Sequence, residues 1–183
     1  QGKILYWGFS CWPADAIRRT FEICGDRLYA PISSQPHYNM LLRDLEVEVM
    51  PACRDAGVGH VVFSPLEQGL LTGKYKPGQP LPEGSRAGDE RQNQFIIDLA
   101  TDQRTLEHVD RLHEVAGDVG CTLGQLALAW ILSHPEITSC IVGATRPEQI
   151  EENAGASGIE LSESQLARID EIIMPATFSY DYE

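Results

Sequence analysis

No two cysteines in this sequence are spaced C-x-x-C. The five it has, Cys11, Cys24, Cys53, Cys121 and Cys140, are odd in number, scattered and mostly set in apolar runs. That argues against a disulfide scaffold or a thiolate metal site and for buried reduced thiols in a cytosolic protein. Basic residues are also scarce, with 14 Lys and Arg against 27 Asp and Glu, for a formal charge of −13. Nucleic acid and anionic membrane surfaces attract net basic faces, so neither is an expected partner. No apolar run approaches the ~20 residues of a membrane span, and no signal peptide is expected before Gly2. There is no 20–50-residue repeat of the kind a solenoid needs. His108 and His113 are five apart and miss a common helix face, so no metal site is expected there.

What is present suits one ordinary domain: 183 residues, 43% of them hydrophobic, enough for a sizeable core. The chain begins at Gln1, without methionine, directly before a strand-like run. It is therefore expected to be a piece of something longer. Lys3 to Phe9 (KILYWGF) reads as a buried strand. Pro13 opens a helix with Ile17, Thr20, Phe21 and Cys24 on one face, closed by Gly25. Pro31 to Ser34 is a second short strand. A helix follows over about Glu46 to Ala56, with Pro51 tolerable only in its first turn. His60 to Phe63 (HVVF) is the third strand.

From Glu67 to about Asp102 no period is sustained, and the run 76–84 is dense in Pro and Gly. A loop of this length is usually functional or disordered. Arg104 to Val119 carries the apolar stripe of a helix. Thr122 and Gln125 have capping-box spacing and open a largely buried helix over Leu123 to Ser133. Ser162 and Gln165 open a last helix through Met174, stopped by Pro175, before an aromatic and acidic tail.

Between those two helices lies the most informative stretch, Ser139 to Asn153. A β-branched, apolar run of the sort covered on both faces ends at Gly143, where bare backbone is open to a ligand. Thr145 and Glu148 then have capping-box spacing, with Pro147 in the first turn of a helix. Free N–H groups and the positive dipole end attract phosphate there, and Arg146 adds a full charge. On this evidence alone an ordinary strand-to-helix turn with a surface arginine is the better explanation. The order, strand then helix four times with an extra helix, means a parallel α/β sheet. Four such units make either a small doubly wound sheet or half of an eight-stranded barrel, which needs ~250 residues in all.

Six motifs occur in register: Tyr6-Trp7-Gly8-Phe9-Ser10, Gln35-Pro36-His37-Tyr38-Asn39, Phe63-Ser64-Pro65-Leu66, Gly69-Leu70-Leu71-Thr72-Gly73-Lys74-Tyr75, Ser85-Arg86-Ala87 and Gly143-Ala144-Thr145-Arg146-Pro147-Glu148-Gln149. Together they resemble the C-terminal half of the aldo-keto reductase superfamily, in its bacterial and potassium-channel β-subunit-like branch. The resemblance implies a parallel (β/α)8 TIM barrel. This chain would supply strands five to eight with their helices over 1–174, with 175–183 as a C-terminal tail. It implies an NADP(H) cofactor and reduction of an aldehyde or ketone to an alcohol by hydride transfer.

The roles implied by the resemblance are specific. Ser10 and Gln35 would hydrogen-bond the nicotinamide carboxamide, and Phe63 would stack on the nicotinamide ring. Ser64, Pro65, Leu66, Gln68 and Lys74 would lie along the pyrophosphate, with Arg86 reaching over it. Gly143, Thr145, Arg146, Gln149, Glu152 and Asn153 would hold the adenosine and its 2′-phosphate. The family's proton-donating Tyr, with its Lys, Asp and His, would precede Gln1, so no catalytic residue is assigned in this chain. The expected partners are a small carbonyl substrate, the missing N-terminal half of the barrel and, with strand edges left open, a second copy of the chain. A non-catalytic nucleotide-sensing subunit and an inactive truncated half-barrel are the alternatives.

Several residues also have plain readings. Apart from the resemblance, Phe63 at a strand end reads first as a core aromatic. Gly69 to Lys74 lacks the G-x-x-x-x-G-K-[ST] spacing of a P-loop. Glu151 and Glu152 read as a solvated helix face, His37 as a plain loop residue ahead of a substrate contact, and Trp7 and Trp130 as packing; Trp12 goes either way.

Overall fold

The computed structural model describes residues 2–26 and 28–179. Tyr180 and Tyr182, with the end of the expected tail (180–183), lie outside the described residues. Four strands form one sheet in the order of the sequence: β1 (Gly8–Phe9), β2 (Ser33–Ser34), β3 (Gly59–Val62) and β4 (Ile137–Cys140). Every pair is parallel, with Gly8 opposite Ser33, Ser33 opposite Gly59 and His60 opposite Ile137. Parallel neighbours need a crossover, and helices supply each one. They are α1 (Ala14–Cys24), then α2 (Val49–Asp55), then the trio α3 (Ile97–Thr101), α4 (Gln103–Val119) and α5 (Leu123–Leu132). After β4 come α6 (Pro147–Ala154) and α7 (Glu163–Ile173). The expected α/β class with a parallel sheet is what the chain adopts.

Successive strand residues point to opposite faces, and only one face is covered. Phe9, Ser34 and His60 share a register row and are all buried. Val62 joins the main core with Leu106, Val109 and Leu112 of α4, Leu126 and Trp130 of α5, and Ile169 and Ile173 of α7. A second, smaller cluster packs Phe9 and Ile17 against Ala52, Cys53 and Val58. The alternate row is made of small residues: a Cβ on Gly8 would meet the side chain of Ser33, and one on Gly59 would come within 2.6 Å of Thr138 Oγ1.

One-sided cover corrects two expectations. The run 3–9 is not a buried strand: only Gly8–Phe9 pairs, and Ile4, Leu5 and Tyr6 are 70%, 82% and 72% exposed. Likewise β4 is not covered on both faces, since Thr138 and Ser139 are exposed and Ile141 and Val142 beyond it remain open to solvent. Apolar composition marks surface suited to burial, but burial requires something to pack against it, and within the described residues the helices lie on the other face.

The helix ends follow the sequence closely. Asp102 caps α4, its carboxylate accepting from Thr105 N at 2.9 Å and Thr105 Oγ1 at 2.6 Å. These bonds hold its pKa below the usual range. Gly120 ends α4 in the left-handed region. Thr122 with Gln125, and Ser162 with Gln165, form the expected reciprocal caps. At α6 the expectation needs correction: Gln149 rather than Glu148 turns back, accepting from Thr145 N at 2.7 Å and Arg146 N at 3.2 Å. The helix starts one residue later than the Thr145 spacing implied, so the reciprocal residue shifts by one as well. In the long stretch after β3 the chain makes 3-10 turns at Glu67–Thr72 and Asn93–Phe95 and the five-residue α3, too short to leave a period. The second helix proves shorter than the 46–56 span expected: a separate 3-10 turn, Asp44–Glu46, precedes α2. Among the described residues no single helix is long and apolar enough to cross a membrane.

His60 gives the fold a pH dependence. It is fully buried, and neither ring nitrogen has a hydrogen-bond partner among the described residues. Burial pushes its pKa down, against a smaller upward pull from Glu136. The unfolded chain, with an imidazole near ~6.5, then binds the proton more readily, so stability falls as pH drops below that value. His60→Leu removes this contribution: its urea midpoint relative to wild type should rise between pH 7.5 and pH 5.5. A constant difference between the two proteins across that range contradicts the assignment.

Candidate functional site

Because the strands are parallel, their C-terminal ends open on one side of the sheet, and the expected site residues follow those ends. Backbone bonds carry the alignment across the strands: Gln35 N to Phe9 O at 2.8 Å, Phe63 N to Pro36 O at 3.0 Å and Ile141 N to Val62 O at 2.8 Å. Three groups of side chains stand along this rim.

The first group is Ser10 with Gln35. The Ser10 hydroxyl donates to the Gln35 carbonyl at 2.6 Å, so its lone pairs remain to accept. Both residues are exposed. Cys11 holds the turn in the left-handed region at φ 54°.

The second group follows β3. Phe63 is half-buried, and the His37 imidazole stacks on it with 5.0 Å between centroids and 27° between planes. Ser64, Glu67 and Gln68 then all have φ between 42° and 53°. Three non-glycine residues in that region within five positions cost free energy, which functional loops characteristically carry. Gln68 Nε2 donates to Ser64 Oγ at 3.1 Å, while Pro65 is buried and Leu66 partly so. The loop then folds tightly: a Cβ on Gly69 would come within 2.5 Å of Lys74 Nζ. Lys74 is exposed, with its ammonium 5.1 Å from the Tyr75 ring centre. Lys76 ties the segment to α4 through Asp110 at 2.8 Å and His113 at 3.0 Å. Arg86 is exposed, and its neighbour Ala87 is anchored by an N–H donated to Tyr75 Oη at 3.2 Å. Beside it lies an open concavity of about 500 Å³ lined by Gly84, Ser85, Gly88, Asp89, Glu90 and Arg91.

The third group is the turn from β4 into α6. Gly143, Thr145, Arg146 and Glu152 are exposed and Asn153 half-buried. Gln149 Oε1 gathers Thr145 N, the Thr145 hydroxyl (3.2 Å) and Arg146 N. Gln125 Nε2 pins the helix from α5 by donating to Glu152 O at 2.8 Å. Burial pushes the nearby Cys140 thiol up to about 11, which leaves it unreactive at neutral pH.

Beneath the second group lies an arrangement that sequence reasoning missed. Asn39 is fully buried; its Oδ1 accepts from Leu41 N at 2.9 Å and Leu42 N at 3.1 Å. Its Nδ2 donates to Ser64 O at 3.0 Å and to Glu67 Oε2 at 2.7 Å. His37 Nε2 reaches the same carboxylate oxygen at 2.8 Å, with His37 side chain 8% and Glu67 side chain 1% exposed. His37 is thus buried rather than the plain loop residue its neighbours suggested. The only signal was a charged Glu67 amid apolar and small residues. Next to it, burial and the adjacent Glu46 carboxylate hold the Tyr38 phenol well above its usual range, so it stays protonated and donates to Glu46 Oε1 at 2.8 Å. Among the described residues no cluster of His, Cys, Asp or Glu is arranged to hold a metal ion.

The profile described as "Aldo/keto reductase family" matches residues 1–174. A Schizosaccharomyces pombe protein named "Putative voltage-gated potassium channel subunit beta" is 40% identical, over 94% of this chain and 51% of that protein. An Arabidopsis thaliana protein named "Probable voltage-gated potassium channel subunit beta" is 38% identical, over 94% of this chain and 53% of that protein. The L-glyceraldehyde 3-phosphate reductase of Escherichia coli O157:H7 is 36% identical, over 94% of this chain and 50% of that protein. The chain spans about half the length of the curated relatives it matches.

Asn39→Ala tests the buried support. It leaves Leu41 N without its acceptor and removes one donor from the Glu67 carboxylate, while Leu42 N keeps the residue-39 main-chain carbonyl, so denaturant unfolding should show a loss on the order of 2 kcal/mol. A loss within ~0.5 kcal/mol, the range of ordinary surface substitutions, contradicts it.

Proposed function

The chain belongs to the aldo/keto reductase family, and on that basis we propose that it is the cofactor-binding half of an NADPH-dependent reductase. Its four parallel strands and their helices form the second half of a (β/α)8 barrel over 1–174. The remaining half packs on the uncovered face of the sheet. The observation that carries this reading is the convergence of Ser10, Gln35, Phe63 and the 143–149 turn on one end of successive parallel strands, the end where barrel enzymes bind ligands.

The donor set suits this ligand. In a protein of charge −13, Lys74, Arg86 and Arg146 are exposed cations set in the segments after β3 and β4. Ser10, its proton already given to Gln35 O, is an acceptor for a carboxamide N–H, and the exposed Gln35 side chain adds a second polar contact. Phe63 offers a flat apolar surface to the nicotinamide and orients its reactive face. Ser64, Leu66 and Gln68 line the pyrophosphate above the buried Pro65, with Lys74 and Arg86 neutralising it. Gly143 leaves the backbone open, since nothing lies within 4 Å of a Cβ built there. Thr145, Arg146, Gln149, Glu152 and Asn153 hold the adenosine, and Arg146 answers the 2′-phosphate. NADPH, when bound, supplies the hydride that turns an aldehyde or ketone into an alcohol. The proton donor belongs to the other half of the barrel, so this chain alone binds cofactor weakly and turns nothing over.

A second reading, a non-catalytic NADP(H)-sensing subunit, is favoured by the channel-subunit names of two relatives. Both readings share the cofactor site; turnover of carbonyl substrates by the complete barrel separates them.

Nicotinamide fluorescence titrations test the shared site. NADPH should bind more tightly than NADH, and Arg146→Ala should cost about tenfold for NADPH while leaving NADH unchanged. Equal affinities for the two cofactors, or no binding of either, contradict the proposal.

A further inference from the structure

Glu67 is an unusual residue to bury in a loop. Its carboxylate is 1% exposed, yet Oε1 has no hydrogen-bond partner among the described residues, while Oε2 holds both His37 and Asn39. Leaving an acceptor oxygen dry costs free energy, as does the left-handed backbone of Glu67 itself at φ 42°. A loop that had only to close the chain would carry a small apolar residue here.

The arrangement acquires a purpose from what His37 touches. Its ring lies against Phe63, and the two residues are bridged through the backbone as parallel partners. Asn39 cannot swing away, because its carbonyl is held by two backbone N–H groups and its amide also binds Ser64 O. Glu67 is therefore held from one side by a rigid amide, and in turn it holds the imidazole by Nε2. We propose that His37 and Glu67 are positioning residues: Glu67 orients the His37 ring, and the ring braces one side of Phe63 so that the other meets the nicotinamide. Neither residue touches the cofactor. The inference rests on the NADPH-binding reading above and adds two residues to it that the resemblance did not assign.

The test compares two ligands that differ in the nicotinamide. NADPH carries it; 2′,5′-ADP keeps only the adenosine and the phosphates at its far end. In the full 183-residue chain, His37→Ala and Glu67→Leu should each weaken NADPH by about three- to tenfold, the worth of one aromatic contact, and leave 2′,5′-ADP within twofold. Glu67→Gln, which keeps an acceptor oxygen in the same place, should retain wild-type NADPH affinity. That rescue also guards against a leucine variant that fails to fold. Unchanged NADPH affinity in His37→Ala overturns the inference, and so does an equal loss of both ligands, which marks a general structural role. If the wild-type chain binds neither ligand, the proposed cofactor site falls and this inference falls with it.

Discussion

Parallel pairing in sequence order is the constraint on which the rest of this structure depends. When each strand lies beside the next and all run the same way, every strand leaves the sheet at the same end. The turns after β1, β2, β3 and β4 are then neighbours whatever their sequences, and short polar segments tens of residues apart become one rim. Helices return the chain to the opposite end each time, and their apolar faces bury one side of the sheet. A family assignment based on scattered motifs thus acquires a physical basis, since those motifs occupy positions that the topology brings together.

The rim is polar and exposed, but it stands on a rigid base. Asn39, Glu67 and His37 form a buried hydrogen-bonded unit under the loop that follows β3, and Asn39 ties that unit to the 64 carbonyl on one side and the 41–42 backbone on the other. This is what allows Ser64, Glu67 and Gln68 to remain in left-handed conformations. Strain of that kind persists only where surrounding bonds over-determine it. Farther along, Lys76 and Tyr75 attach the same loop to α4 and to the 86–87 turn.

Much of this was legible in the sequence, for identifiable reasons. The stripe Leu106, Val109, Leu112, Val115 and the caps at Thr122 and Ser162 are local signals that tertiary context did not override. The parallel sheet followed from the alternation of apolar runs with amphipathic ones, whereas its strand order did not, since the same alternation suits a doubly wound sheet or a half-barrel. What local pattern could not give was which sheet face would be covered, so Ile4, Leu5, Tyr6, Ile141 and Val142 read as buried and are not. Nor could it give α3, too short to repeat, or the choice of Gln149 over Glu148 at the start of α6, which turns on a one-residue shift. The Asn39–Glu67–His37 unit joins residues 28 and 30 positions apart, and no spacing rule reports such a contact.

Amide hydrogen exchange with and without NADPH tests the central claim, that the rim at the strand ends is the cofactor site. The account predicts slowed exchange in 8–11, 35–39, 63–74 and 143–153 when NADPH is present. It predicts no change at the other end of the sheet, in 54–59 and 135–138, where Arg54, Gly57 and Glu136 line a separate concavity. Protection confined to that far end, or none anywhere, would contradict it.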